Sequence, residues 1–131
     1  MKNIHKKDEP NVGIGYYALN GNTTGSSNSA VGNMALNFNT TGRANSAVGA
    51  DALYSNTTGS GNSAVGVDAL YNNTTGYNNS AVGAEAGNNA KQKQDAKYQT
   101  LLGSSTYGTR DSISVIGADF IKETYRDWET H

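Results

Sequence analysis

The feature that most constrains this chain is its period. Asn28-Ser-Ala-Val-Gly32 recurs as Asn45-Ser-Ala-Val-Gly49, Asn62-Ser-Ala-Val-Gly66 and Asn79-Ser-Ala-Val-Gly83, each copy 17 residues after the last. Asn11-Val-Gly-Ile-Gly15 is a degenerate first copy in the same register. Ala18-Leu19, Ala35-Leu36, Ala52-Leu53 and Ala69-Leu70 follow the glycines. Asn-Thr-Thr-Gly blocks then close the units at Asn22–Gly25, Asn39–Gly42, Asn56–Gly59 and Asn73–Gly76. Leu101-Leu102-Gly103 and Val115-Ile116-Gly117 carry the pattern on, their glycines 20 and then 14 residues further, which together make two periods. The repeat domain therefore runs over 11–120, after a charged N-terminal tail at 1–10, with a polar insertion at 88–99.

A unit of this length is too short for a helical hairpin repeat, whose period exceeds about 30 residues. Its Gly, Asn, Thr and Val are also poor helix formers. What fits is one coil of a parallel β stack, with two short strands separated by tight turns whose corners use the conformational tolerance of Asn and Gly. The expected fold is an all-β parallel β-roll or solenoid of about seven coils, rising about 30 Å at the ~4.8 Å interstrand spacing.

Stacking turns repeat positions into ladders. Gly15, Gly32, Gly49, Gly66 and Gly83 form one column; Ile14, Val31, Val48, Val65 and Val82 form an apolar one. Leu19, Leu36, Leu53 and Leu70 form a second apolar column, and Ala18, Ala35, Ala52, Ala69 and Ala86 a small one that allows close backbone approach. Asn28, Asn45, Asn62 and Asn79 are placed to bond amide to amide along the stack, as in cross-β Asn ladders. Only 35% of the residues are hydrophobic, so this core is thin. Neighbours in a strand point to opposite faces, so Ala30 and Val31 cannot both be interior. One face fills the coil, and the other asks for a partner chain, which a closed homo-oligomer supplies.

The same residues leave little room for catalysis. Net charge is −1, which implies no general attraction to nucleic acid or to anionic membrane. There is no cysteine, and the two histidines, His5 and His131, stand at the ends, away from any triad or metal-ligand spacing. No apolar run is long enough to span a membrane, and residues 1–10 contain no secretory h-region. Gly13-Ile-Gly15-Tyr-Tyr-Ala18 matches a dinucleotide fingerprint as a string, but Gly15 and Ala18 stand in repeat register. Asp51, Asp68 and Glu85, with Asp119 further on, share one repeat position. Stacked carboxylates suggest a cation ladder or a glycosidase pair, against a solvated edge paired with Arg43 or a neighbouring chain. The edge is the expectation, because no calcium-loop pattern accompanies the acids and their surroundings are equivalent. No catalytic residue, cofactor or metal site is expected.

Two surface features carry binding readings. Thr23/Thr24, Thr40/Thr41, Thr57/Thr58 and Thr74/Thr75 stack as hydroxyl rows, which an ice-binding solenoid would use; turn building is the default for adjacent threonines. Tyr54, Tyr71 and Tyr77, with Phe38, are candidates for contact with sugars, a receptor or the seam between chains.

The repeated Asn-Ser-Ala-Val-Gly-x-x-Ala string resembles the head repeat of trimeric autotransporter adhesins, the YadA-like left-handed parallel β-roll. That family typically uses a 14-residue unit, which the Gly103–Gly117 spacing reproduces. The longer unit with Asn-Thr-Thr-Gly is similar to repeats in phage and virus tail fibres. The resemblance covers roughly residues 11–120 and implies a homotrimer with an adhesive or spacer role. It places the chain in a virion tail fibre or at a cell surface, with a host receptor or polysaccharide as partner; the missing secretion signal favours the tail fibre. Ile121, Tyr125 and Trp128 make a short helical stripe, so 121–131 reads as a helical neck or as a non-native tail. A monomeric ice-binding solenoid and a polysaccharide-degrading fibre are the alternatives.

Overall fold

The computed structural model describes residues 5–6, 9–88 and 93–117. Eight strands follow in order: β1 (His5–Lys6), β2 (Glu9–Ile14), β3 (Asn28–Val31), β4 (Ser46–Val48), β5 (Ser63–Val65), β6 (Ser80–Val82), β7 (Thr100–Leu102) and β8 (Ser114–Ile116). The strands from β2 to β8 form one parallel sheet in sequence order, and β1 pairs antiparallel with the start of β2, His5 opposite Pro10. Ala30 lies opposite Ala47, Ala47 opposite Ala64, and Ala64 opposite Ala81, so the register is the repeat itself. Seven parallel strands bound about six turns of a β-solenoid, one fewer than the expected seven coils. The rest of the seventh expected coil, past Gly117, and the expected neck or tail at 121–131 lie outside the described residues.

Each coil holds one strand, where the repeat pattern suggested two. The rest of the coil is a succession of turns, and only some of their corners are built by Asn or Gly, as at Asn78 and Gly61. Left-handed backbone also falls on Leu36, Leu53 and Leu70 (φ 51–52°), on Asp51, Asp68 and Glu85 (φ 59–61°), and on Ala44 (φ 56°), which precedes the first Asn column as Gly61 and Asn78 do. That conformation costs a non-glycine residue roughly 1–2 kcal/mol. At the leucines it is offset by complete burial and by a coil-to-coil bond, as where Leu53 N–H donates to Ala69 O at 2.9 Å.

The interior is as thin as the composition requires. Each central coil contributes an Ala from the strand, then an Ala and a Leu from the turns, all fully buried, as at Ala47, Ala52 and Leu53. The asparagines hold the corners. Asn45 Nδ2 donates to Asn28 Oδ1 at 3.1 Å, and Asn45 N–H donates to the same oxygen at 3.0 Å. Asn22, Asn39, Asn56 and Asn73 form a second ladder, Asn56 Nδ2 donating to Asn39 Oδ1 at 2.8 Å. The ladders meet at the glycine of the closing block: Gly59 O accepts from Asn45 Nδ2 (2.8 Å) and Asn56 Nδ2 (2.9 Å).

The long coil keeps this logic. Gln99 takes the next place in the first Asn column, its N–H donating to Asn79 Oδ1 at 3.0 Å, and Ala96 O accepts from Asn79 Nδ2 at 2.7 Å. Asn72 still bonds Asn88, while Thr74 N–H reaches Gln94 O, so the three additional residues fall between Asn88 and Gln94. Gly87 occupies the Leu column of this coil. A Cβ there would stand 2.7 Å from Leu70 Cδ2 and 3.2 Å from Leu101 Cδ1. Leu101, in a column of alanines, has moved into the volume that Gly87 leaves, as a close-packed interior requires.

Candidate functional site

The alternation of each strand sends its Ala inward and its Ser and Val outward. Val31, Val48, Val65 and Val82 are therefore a column on the outer face, joined by Ile14, Leu102 and Ile116. All seven are 38–64% exposed. Beside them runs a hydroxyl column of Ser29, Ser46, Ser63, Ser80, Thr100 and Ser114. A contiguous apolar row with polar rims is unlike the scattered exposed apolar residues that are ordinary on a protein surface. Val12 and Val67 widen it.

Two corners border this face. The entering one carries Ser26, Arg43, Ser60, Tyr77, Lys97 and Asp111, each two residues before the first Asn-column position. The leaving one carries Tyr17, Met34, Asp51, Asp68, Glu85 and Ser105, each two residues past the glycine and all with φ of 57–61°. Asp119, the expected further member, lies outside the described residues. Burial first, then the charges of Asp51 and Glu85, hold the Asp68 carboxyl above its ordinary range. The carboxylates do not pair with Arg43, whose guanidinium donates to Ser26 Oγ at 3.4 Å. Asp51 Oδ1 is buried without a partner. Among the described residues no group of three or more His, Asp and Glu is arranged to hold a metal ion.

A raised folded-state pKa means that the native chain holds this proton more tightly than the unfolded chain does. Its contribution to stability is therefore fully present below the ordinary aspartate pKa and is lost as pH rises through the raised value. At pH 7 Asp68→Asn is expected to melt at a higher temperature than the parent, because Asn accepts the left-handed corner and removes the like charge. Thermal melts of both proteins between pH 3 and pH 7 are expected to converge at the acid end; a constant difference would contradict the assignment.

The aromatic candidates divide. Tyr54 and Tyr71 stack at 4.7 Å with rings 8° from parallel, and Phe38 meets Tyr54 edge-on at 5.1 Å. Burial, then Tyr54, Asp51 and Asp68, raise the Tyr71 hydroxyl above its ordinary pKa. Tyr77 is elsewhere, on the entering corner, edge-on to Tyr98 at 5.5 Å and with the Lys97 ammonium 5.3 Å from its ring centre. Of the paired threonines, Thr23, Thr40 and Thr57 donate through Oγ1 to the carbonyls of Thr40, Thr57 and Thr74 at 3.0–3.2 Å. Their hydroxyls are thus committed to the turn, and Thr24, Thr41, Thr58 and Thr75 remain as a single exposed row. Gly13 lies inside β2 and Ala18 in the core, which places the Gly-x-Gly string in the repeat.

Reasoning from the repeat missed the second Asn ladder and left open which of Ala30 and Val31 faces outward. The ladder's signal was present, since its asparagines recur as regularly as the first set. No family model matches the chain, no curated protein matches it, and no solved structure matches it.

Proposed function

We propose that this chain is a structural and adhesive segment of a trimeric surface fibre or virion tail fibre, a rigid rod that spaces or presents a binding surface. One observation carries the reading: an unbroken apolar row, from Ile14 to Ile116, along the outer face of a solenoid whose interior is already filled by Ala and Leu. Such a row is expected to be covered by further copies, and the resemblance to β-roll adhesin and tail-fibre repeats supplies the number three. The stacked Tyr54 and Tyr71, and Tyr77 on the other corner, are the surfaces offered to a host receptor or polysaccharide. Aromatic faces suit both kinds of partner. The work is mechanical and involves no catalysis.

The test is the solution mass of the purified chain by light scattering after size exclusion. A mass near three chains is expected, and a folded monomer would overturn the reading.

A further inference from the structure

We infer that copies of this chain dock through the Ser-x-Val face in parallel, with Arg43 of one copy against the Asp51, Asp68 and Glu85 column of the next. The inference rests on the self-association proposed above and adds its orientation and its polar contact.

The leaving rim of the apolar face carries Asp51, Asp68 and Glu85, whereas the entering rim carries Arg43 and Lys97, with Asp111 at its far end. Around β4 the arrangement is symmetrical, with Arg43 three residues before Ser46 and Asp51 three residues after Val48. Among the described residues these charges enter no ion pair. The Arg43 guanidinium reaches only a serine hydroxyl, and the carboxylates of Asp51, Asp68 and Glu85 accept no hydrogen bond and make no ion pair among the described residues. Elsewhere charges are spent locally, as where Lys93 is held by Asp95 at 2.7 Å and by Asp111 at 3.4 Å. The three carboxylates also repel one another along the stack, a cost that a neighbouring cation relieves.

Orientation follows from symmetry. When the rotation axis runs along the stack, the entering rim of one copy meets the leaving rim of the next at the same height. Arg43 then faces Asp51 with its stack neighbours. When the axis runs across the stack, like rims meet, and the carboxylate columns of two copies oppose each other. Rim charges contribute little affinity, but juxtaposed like charges reject an arrangement, so they select one docking mode from an apolar surface that would accept several.

The chain has no cysteine, so single cysteines report the orientation directly. Val31 and Leu102 are exposed on β3 and β7, each two strands from the central β5. Under mild oxidation, Val31→Cys alone and Leu102→Cys alone are each expected to give a disulfide-linked pair of chains. If only the mixture of the two variants cross-links, the packing is antiparallel and the inference fails while self-association stands. In the second arm, Arg43→Glu is expected to weaken assembly about tenfold, and adding Asp51→Lys to recover it. Asp51→Asn and Asp68→Asn serve as the acidic-side variants if the lysine does not fold at its left-handed corner; each is expected to weaken assembly and reduce its salt dependence. An oligomer indifferent to all of these changes would overturn the Arg43 contact. A parent chain that stays a folded monomer would overturn the self-association, and this docking with it.

Discussion

Gly49→Ala is expected to lose at least about 3 kcal/mol of stability, the upper end for a single strained residue, and in a core this thin to leave much of the chain unfolded at 37 °C. Gly49 sits at φ 130°, where an L side chain is strained in any surroundings. A Cβ there would also stand 2.6 Å from Gly66 O and 2.7 Å from Gly66 C, both backbone atoms of the next coil. Neither can yield without opening the coil-to-coil spacing, which the hydrogen bond from Gly66 N–H to Val48 O (2.8 Å) holds closed. Gly87→Ala is the instructive comparison, because its nearest obstruction is the end of the Leu70 side chain. Urea unfolding followed by circular dichroism should rank the parent first, Gly87→Ala second and Gly49→Ala last. Equal midpoints for the two variants would mean that coil contact at Gly49 is not tight.

Asn45→Ala is expected to cost about 2–5 kcal/mol, because it strands several buried groups at once. The Asn45 side chain donates to Gly59 O at 2.8 Å and to Asn28 Oδ1 at 3.1 Å, and its own Oδ1 accepts from Asn62 N–H at 3.0 Å. Methyl replacement leaves the Asn62 amide without its acceptor in a region closed to water, since Asn45 and Asn62 are both fully buried. Asn33→Ala is the control, an exposed asparagine one residue past Gly32 that lies in neither ladder. The same unfolding measurement should place Asn33→Ala near the parent. If Asn45→Ala joins it there, the ladder is a by-product of stacking and does not support it.

Much of this architecture was legible in the repeat. A fixed period with one Asn, one Gly and one Leu per unit admits few arrangements other than a stack, and columns of identical residues follow from stacking alone. The polar ladder was legible for the same reason, since an Asn repeated at an interior corner stacks on its own copies. The corners were not. Left-handed backbone at Leu53 contradicts what that residue prefers locally, and holds only because burial and a bond to the next coil outweigh that preference. A second strand per coil failed similarly, because turns make the coil-to-coil bonds that strand propensity had seemed to demand. Of the aromatics, spacing placed Tyr54 and Tyr71 one period apart and so in contact. Tyr77 lies on the other corner, six residues after Tyr71, and pairs with Tyr98 of the long coil.

The sequence by itself determined the period, the parallel register and the composition of every column, because these depend only on which residues recur and how far apart. Only the tertiary structure decided which of the two apolar positions in Ala-Val faces inward. The reason is volume. With a buried Leu in each coil, the strand can offer only a methyl group to the interior, so Ala30, Ala47, Ala64 and Ala81 are inside and the valines are displaced to the surface. Where the Leu column gives way to Gly87, the strand answers with Leu101. The apolar outer face, and with it the reading of this chain as one member of an assembly, is the remainder of that packing.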